Sequence, residues 1–567
     1  MTPLVIGVTS HRDIPAREIE PIRQRVRDFL AQMQRDFPGL PLLVLSALAE
    51  GGDQLVAQEA LAAGARVIAP LPLPREVYAS DFSAAGRATL AELCQRVEVL
   101  PLPLLPGNTA AAVAVPGAAR NRQYAHAGVF ISSHSHILLG LWNGHASDLL
   151  GGTAQVVRYH LDGIMPGLIE RRHSAQMVLE CGDESLMYHI VCSRTDADGV
   201  LQPPLPPLQP LQTRWVDQGG ARAASTGMPE EFRRMFQCMQ QFNADAKRHG
   251  QEIDAFAAAQ AATPPGTDMR ASIDRLFLTA DWLALHFQRQ VLRAMRGLYV
   301  LATLMGIAFV SYSDLPHQGD AIYVFIVLFA AGVCLAWLAQ RRGWHRKYID
   351  YRALAEGLRV QRYWRAAGIA TAGSGVFAHD NFMQKQDIEL GWIRNVMRAA
   401  GVCSFEVAHV SEGAMAAVVS DWIGIANGEG QLGYYARKAA QCTRVHHATQ
   451  RIGRTLLCIV IGISVCLAVF HRQLDPDTTT YLVAVMGVLA IIAAARESYA
   501  FRKADRELIK QYRYMCNIFA TARRKLDATA DVAARREILR ALGEAALAEH
   551  AEWALMHRER PPEHGKL

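Results

Sequence analysis

Three short segments near the start of the sequence place hydroxyl, basic, acidic and glycine residues directly after apolar runs. They read GVTSHR (7–12), SALAEGGD (46–53) and NGHASDLLGGTAQVV (143–157). Each apolar run has the length of a β-strand, and a helical pattern begins after it. Glycines at such corners let backbone amides approach a phosphate, and the dipole of the following helix adds attraction. We therefore expect a phosphate-bearing ligand at these corners.

The chemistry of the individual residues leaves alternatives open. Glycine at a strand-to-helix corner is also ordinary turn chemistry, so each glycine pair alone is a weak signal. Arg12 and Arg122 are suited to neutralise a phosphate through two parallel hydrogen bonds. Trp142 either stacks on a base or caps the sheet. The aromatic and acidic residues of YASDF (78–82) either edge the pocket or pack locally.

Alternating strands and helices must position these corners. Helical patterns begin at Pro15, Asp53 and Gly151, and strand-like runs precede or separate them. This alternation predicts parallel βαβ winding, in which ligands bind at the carboxyl ends of the strands. We therefore predict an α/β, Rossmann-like N-terminal domain over residues 1–199. The predicted strands are 4–8, 40–48, 65–73, 93–102, 136–144 and 187–194.

The order GVTSHRD, SALAEGGDQLVAQEAL, GARVIAPLPLP, YASDF, ILLGLWNG and GGTAQVV resembles the SLOG superfamily over about residues 3–195. That group of Rossmann-like domains includes LOG/lysine-decarboxylase-like and DprA-like proteins. The resemblance implies binding of a nucleotide or a nucleotide derivative. The pocket residues that it implies are Gly7, Thr9, Ser10, His11, Arg12, Ser46, Glu50, Gly51, Gly52, Asp53, Trp142, Gly151, Gly152 and Thr153.

The sequence departs from the enzymatic branch of that superfamily. LOG enzymes resemble PGGxGTxxE, whereas this chain has GGTAQVV, with Gln155 and Val156 in the corresponding region. Cleavage of a base from ribose needs an acid or base near the departing group. Glu50 is the obvious substitute, but a carboxylate at a helix start also pairs with the dipole. We expect a sensor in preference to a hydrolase, and we assign no catalytic residue, metal ligand or cofactor.

A proline-rich segment, VLQPPLPPLQPLQ (200–212), follows the α/β pattern. Such a composition favours a semi-rigid spacer over a helix or a central strand. An amphipathic helical stretch comes next, and a PPGTD turn at 264–268 interrupts it. We therefore predict that residues 200–268 form a linker and helical connector between two domains.

Four uncharged apolar runs occupy the second half of the chain, at about 298–313, 321–340, 455–470 and 481–495. Each is near the lower limit of a membrane span, which needs roughly 20 residues. A buried core helix is the alternative for any one run. The runs form two close pairs with short linkers, so we predict an all-α membrane region with two transmembrane helical hairpins.

Charge predicts the orientation of these spans. Lysine and arginine are frequent on the outer flanks of each pair, and Arg472 is the single basic residue of the two linkers. The positive-inside rule places both linkers outside and both termini in the cytosol, at the inner membrane. Ten cysteines without a CxxC motif and a start without a signal-peptide pattern agree with this. The net charge of +6, concentrated beside the apolar runs, favours the lipid bilayer over nucleic acid as partner.

The second half also shows an internal repeat of hairpin and long cytosolic helix. YRALAEGLRVQRYWRAAG, the YYARKA stretch and LGEAALAEHAEWALMHRERP resemble the SLATT families of two-transmembrane domains. We divide the region into units at 269–440 and 441–567. The resemblance implies an effector that forms pores or disrupts membranes in bacterial anti-phage or conflict systems. A pore would require several chains, so we expect a homo-oligomer.

Three hypotheses follow from the sequence. The first is a membrane effector gated by a nucleotide-derived ligand. The second is a membrane-tethered nucleotide hydrolase that uses Glu50 or Asp53. The third is a structural membrane scaffold. The spans contain no charged residue, so the sequence gives no sign of a proton relay or an ion-coupled transport site.

Overall fold

A computed structural model describes residues 1–169, 185–196, 198–217, 224–260, 273–315, 318–369, 382, 388–403, 412–425, 428–470, 472–502 and 505–558. The chain divides into two compact units. The first contains Met1–Ala280 and Leu354–His409, and the second contains Asp281–Ala353 and Val410–Leu567.

The first unit is built around an eight-stranded, mostly parallel sheet with the order β10-β9-β6-β5-β1-β2-β3-β4. All six predicted strands are present, which confirms the α/β prediction. Strands β9 and β10 add an antiparallel edge beside β6, and β7 and β8 form a separate antiparallel pair. The strands are β1 (Leu4–Ser10), β2 (Leu42–Leu45), β3 (Arg66–Leu71), β4 (Glu98–Pro101), β5 (Ile137–Trp142), β6 (Leu186–Val191), β7 (Arg194–Thr195), β8 (Leu201–Gln202), β9 (Thr213–Asp217) and β10 (Ala224–Ser225).

Nine helices precede the apolar region among the described residues. The three helices predicted within the α/β pattern are confirmed, and so is the amphipathic helical stretch predicted after the proline-rich segment, which forms two of the nine. Helix α6 was not predicted, because 12 of its 17 residues are buried and it lacks a clear polar face. The helices are α1 (Ala16–Asp36), α2 (Gly52–Ala62), α3 (Arg75–Ala79), α4 (Ala84–Arg96), α5 (Ala110–Ala114), α6 (Ala118–His134), α7 (Thr153–Asp162), α8 (Glu230–Arg248) and α9 (Gly250–Gln260).

The strand order reverses at the centre of the sheet. Strands β2, β3 and β4 extend from one side of β1, and β5 and β6 extend from the other. Crossover connections of parallel strands are almost always right-handed, so such a reversal leaves a crevice at the carboxyl ends of the two central strands. The crevice between β1 and β5 is therefore the expected ligand position in this unit.

The sheet continues beyond residue 199, where we placed the end of the first domain. Within the proline-rich segment, the Leu205 amide donates to the Asn143 carbonyl at 2.8 Å and the Leu211 amide to the Val191 carbonyl at 2.7 Å. β9 then pairs with β6. The prolines lie in the connection between these bonded residues, and the non-proline amides make its hydrogen bonds to the sheet.

The core of the first unit also includes a segment from between the two predicted pairs of spans. Ala399 and Val402, on α13 (Gly391–Cys403), are at most 2% exposed and share a cluster with Val5, Leu43 and Phe130. The segment that we assigned to a first membrane domain at 269–440 thus contributes to the α/β core. Its amphipathic pattern is typical of a helix but does not reveal which surface it covers.

The rest of the described chain is helical. Four helices are long and apolar enough to cross a membrane, and they contain the four predicted spans: Ile273–Asp314, Ala321–Ala366, Gly430–Phe470 and Pro476–Phe501. Their pairing as two hairpins stays a prediction. Helices α10 to α18, with α13 given above, are α10 (Ile273–Asp314), α11 (Ala321–Arg341), α12 (Trp344–Ala366), α14 (Glu412–Val418), α15 (Gly430–Phe470), α16 (Pro476–Arg502), α17 (Asp505–Asp527) and α18 (Val532–Arg558).

The apolar windows of these four helices are almost entirely exposed. At most 17% of each window is buried within the molecule, and Val327, Leu457 and Val469 are each more than half exposed. Exposed apolar surface of this extent is unfavourable in water and favourable in a bilayer. The buried-helix alternative therefore does not apply to these segments.

Candidate functional site

His11 lies at the crevice between β1 and β5. Its backbone amide donates to the Leu141 carbonyl at 3.0 Å, and its Nε2 accepts from the Asn143 amide at 3.2 Å. Because Nε2 accepts a hydrogen bond, the neutral ring carries its proton on Nδ1. Burial lowers the pKa of His11 to about 4, so the imidazole is uncharged at neutral pH.

Gly51 and Gly52 bring two loops into contact at the start of α2. A Cβ on Gly51, where φ is 93°, would lie 2.1 Å from the carbonyl oxygen of Arg12. The Gly52 amide donates to the His11 carbonyl at 3.2 Å. These glycines therefore allow the two loops to approach closely. We expected the Gly52 amide to donate to a phosphate, but it donates to the His11 carbonyl within the molecule.

Asp53 is buried at the same corner. Its carboxylate accepts from the Ser10 hydroxyl at 2.5 Å, and Ser46 donates through its hydroxyl to the Asp53 carbonyl oxygen at 3.2 Å. Burial raises the pKa of Asp53 to about 7, against the lowering effects of the Ser10 hydrogen bond and the nearby Arg12 charge. Asp53 is thus a carboxyl group that can gain or lose a proton near neutral pH.

Glu50 is directed towards the start of α4. Its carboxylate accepts from the Ser83 amide at 2.9 Å and makes a short contact with the Ser83 hydroxyl. That hydroxyl accepts from the Gly86 amide and caps the helix. Glu50 therefore supports the capping residue of a neighbouring helix, which accounts for its presence without a ligand.

The third corner, at the start of α7, has backbone amides that are available to a ligand. Gly151, with φ at 81°, approaches α6 so closely that a Cβ would lie 2.8 Å from the Ala125 amide nitrogen. The Thr153 hydroxyl donates to the Ser10 carbonyl at 2.7 Å, which joins the start of α7 to the end of β1. Gly152 is the residue before the helix, and the amides of Thr153 and Ala154 have no hydrogen-bond acceptor among the described residues. Such amides can accept an anion.

Other predicted site residues lie away from the crevice mouth or pack internally. Gly7 is within β1, where a Cβ would lie 2.7 Å from the Ser135 hydroxyl, and Thr9 is buried in the same strand. Trp142 donates to the His145 carbonyl at 3.1 Å and packs on the core around α7, in agreement with the sheet-capping alternative. Arg122 is exposed on α6.

The YASDF segment is part of a local packed network. Tyr78 and Phe82 contact each other edge to face at 4.8 Å between ring centres. Asp81 forms an ion pair with Arg120 at 2.8 Å, and Tyr124 donates a short hydrogen bond to it. The local-packing alternative therefore accounts for these residues.

Two arginines supply positive charge near the strand ends. Arg12 is exposed, with its guanidinium 5.6 Å from the centre of the Phe82 ring, and Arg194 is close enough to His11 to lower its pKa. Neither arginine forms an ion pair in the part of the chain that the structure describes. We did not predict Arg194 as a site residue, although it is the last residue of the sixth predicted strand and the strand-end rule points to it.

Among the described residues, no group of three or more His, Cys, Asp or Glu side chains could hold a metal ion. The fold and the site define an α/β unit with polar residues at its topological switch point, on a chain with four helices suited to a membrane. Comparison of the chain with family models, with curated proteins and with solved structures finds no match.

Proposed function

We propose that this chain is a membrane effector gated by a nucleotide-derived ligand, which binds at the crevice between β1 and β5. The observation that carries the proposal is the charge distribution there. Arg12 and Arg194 form no ion pair among the described residues, and His11 is neutral. The start of α7 offers available amides nearby, at Thr153 and Ala154. An anionic group would compensate the arginine charge and satisfy these donors.

Chain connectivity supports a route from this unit to the spans. The division between the two units falls within α10 and α12, so two helices continue from the apolar region into the α/β unit. In the α/β unit, α13 packs against α6 and β1. A ligand that favours one arrangement of these elements would shift the spans only by its difference in affinity for the two states.

The consequence for the membrane rests on the resemblance to SLATT families. We propose that several copies assemble in the inner membrane and open a pore or disrupt the bilayer, as part of bacterial defence against phage. The exposed apolar faces of the four helices are compatible with both lipid and neighbouring copies. The N- and C-terminal segments then lie in the cytosol, on the side of the membrane where the proposed ligand would have to be present.

Hydrolysis is the second candidate function, and Asp53 is the observation that favours it. A carboxyl group with a pKa of about 7 is suited to general acid or base catalysis at neutral pH. Glu50, the other candidate, is engaged by Ser83. Asp53 is only 5% exposed, so a substrate would have to displace the Ser10 contact to reach it.

The test uses the full chain in lipid nanodiscs. Its thermal stability is measured with NAD, ADP-ribose and its cyclised forms, cyclic di- and trinucleotides and nucleoside monophosphates. A ligand at 100 times its Kd stabilises a protein by about 2.7 kcal/mol. Each stabilising compound is then recovered and analysed by chromatography. Stabilisation by an intact compound supports the sensor, and cleavage that Asp53→Asn abolishes supports the hydrolase. No stabilisation by any compound argues against both.

A further inference from the structure

A buried ionic contact joins two helices of the second unit. The Asp350 side chain, on α12, is 5% exposed, and its carboxylate lies 3.2 Å from the guanidinium of Arg558, at the end of α18. Arg346, one turn earlier on α12, lies 3.6 Å from the same carboxylate. A buried charge is tolerated when partners compensate it, so Asp350 depends on the arginine that α18 provides.

The same two helices meet through neutral groups. His345 donates from Nε2 to the His557 carbonyl at 3.0 Å. The Tyr348 and Trp553 rings contact edge to face, with centres 6.0 Å apart. Trp553 also packs against His557, with ring centres at 4.4 Å. The last two turns of α18 are thus fitted to the first two turns of α12 by charge, hydrogen bond and ring packing.

This contact lies at the base of two apolar helices. α12 follows α11 after a single break at Gly343, where φ is 60°. α10, which continues into the first apolar run, contacts the same part of α12. Gln288 donates to the Tyr348 hydroxyl at 3.1 Å, and Asp281 pairs with Arg352 at 3.2 Å. The turns that receive α18 therefore connect the two helices that carry the first pair of predicted spans.

We propose that the end of α18 is a clasp on the first turns of α12, at the base of the first two spans, and that its release frees these spans to rearrange. Its existence as a restraint is independent of ligand binding. Its consequence for membrane permeability rests on the effector function proposed above.

The clasp predicts a specific response to loss of Arg558. In Arg558→Met the Asp350 carboxylate stays buried with Arg346 alone, on its own helix, so α18 should detach at least part of the time. In the double variant Asp350→Asn/Arg558→Met the buried charge is gone, so attachment through His345 and Trp553 should be partly restored. Arg540→Met is the matched control, because Arg540 is on α18 and its one ion pair with a described residue is to Glu544, at a half-exposed position.

Hydrogen exchange on the full chain in nanodiscs tests the clasp directly. In Arg558→Met we expect amide exchange at 544–558 and 344–352 to be at least about tenfold faster than in the parent. The double variant should recover slow exchange at these segments. Arg540→Met should exchange at the parental rate. Exchange within twofold of the control in Arg558→Met would overturn the clasp. Dye release from vesicles is measured in parallel. Faster exchange together with ligand-independent release supports the clasp and the effector function, whereas faster exchange without release supports the clasp and argues against the effector function.

Discussion

His136 connects strand β1 to α13 by donating from Nε2 to the carbonyl oxygen of Asn395, 259 residues away, at 2.8 Å. Its other ring nitrogen accepts from the Val5 amide at 3.1 Å. Burial lowers the pKa of His136 to about 3, so the ring stays neutral and both bonds are kept at physiological pH. One side chain thus joins β1, which ends at Ser10 and is followed by His11 and Arg12, to a helix that lies between the two pairs of apolar runs in the sequence.

Replacing a core residue of α13 should unfold the α/β unit. Val402→Asp puts a carboxylate into the cluster that covers β2 and β3, at a position that is 2% exposed. We expect destabilisation of the first unit by about 3 kcal/mol or more. Limited proteolysis and urea unfolding measure it. Val115→Asp, at a position that is 59% exposed, is the control and should change stability little. Equal stability of the two variants would contradict the role of α13.

Two glycine substitutions separate the effect of a steric clash at the second corner from the effect of a positive φ alone. Gly51→Ala introduces a Cβ 2.1 Å from the Arg12 oxygen, whereas Gly107→Ala, at a similar φ of 87°, meets no atom within 4 Å. We expect a loss of roughly 3 kcal/mol or more for the first and about 1 kcal/mol for the second. Thermal unfolding of the full chain gives both values. Similar losses would mean that the two loops do not approach closely.

The buried carboxyl of Asp53 should make stability depend on pH. Its folded pKa, about 7, is above the value of 3.8 expected when unfolded, so the folded state binds more protons between these values. The stabilisation is complete below about pH 4 and is lost as pH rises towards 7. Asp53→Asn, which can still accept from Ser10, should therefore gain stability relative to the parent between pH 4 and 8, by roughly 2 to 4 kcal/mol.

Urea unfolding of both proteins at several pH values measures this difference. Asp148→Asn, on an exposed loop, is the control for loss of a single carboxylate. If the stability difference between Asp53→Asn and the parent is the same at pH 5 and pH 8, then Asp53 titrates normally, and the hydrolase alternative loses its candidate acid or base.

Loss of Arg194 should weaken binding of an anionic ligand. Its charge near His11 has no carboxylate partner in the described structure, so Arg194→Ala should raise Kd about tenfold with little change in stability. Calorimetry with the ligand found by thermal stabilisation measures Kd. Arg35→Ala, at the far end of α1 and exposed, is the matched control. An unchanged Kd in Arg194→Ala would place the ligand elsewhere.

Labelling of single cysteines tests the predicted orientation of the spans in the membrane. In a background with serine in place of cysteine, Gln318→Cys and Gln473→Cys put single thiols at exposed positions between the paired apolar helices. Both should react with a membrane-impermeant maleimide added outside whole cells, because the positive-inside rule places these linkers outside. Arg35→Cys should react only after lysis. Reaction of Arg35→Cys in intact cells would contradict the predicted topology and indicate the opposite orientation.

Local sequence was sufficient for the six parallel strands of the sheet and for part of the site, but not for the antiparallel edge of β9 and β10. The strands LVIGV and HILLGLW are continuous apolar runs because both faces of a parallel sheet are buried, and this pattern needs no knowledge of distant residues. It also placed Ser10, His11 and Arg12 together with Gly51 and Thr153. The roles of these residues depended on side-chain direction. Glu50 contacts Ser83 and Trp142 packs on the sheet, and neither contact follows from spacing.

The sequence did not predict which residues pack together when they lie far apart in the chain. Trp392, Ile393 and Val396 give α13 one apolar face, which predicts a helix but is equally suited to many partners. The pairing of Asp350 with Arg558 joins positions 208 residues apart. In the sequence, Asp350 and Arg558 would each be interpreted as a solvated charge on a helix surface, because charged residues are rarely buried.

The position of α13 in the chain also imposes an order of events during synthesis. Strands β2, β3 and β4 leave the ribosome early, but the helix that covers one of their faces follows two long apolar helices, α10 and α11. Domains generally fold as they are made, from the N-terminus onward. Here part of the apolar surface of the nascent α/β unit stays uncovered until those two helices have been synthesised. Completion of the N-terminal unit is therefore a late step, which follows the synthesis of the first two apolar helices.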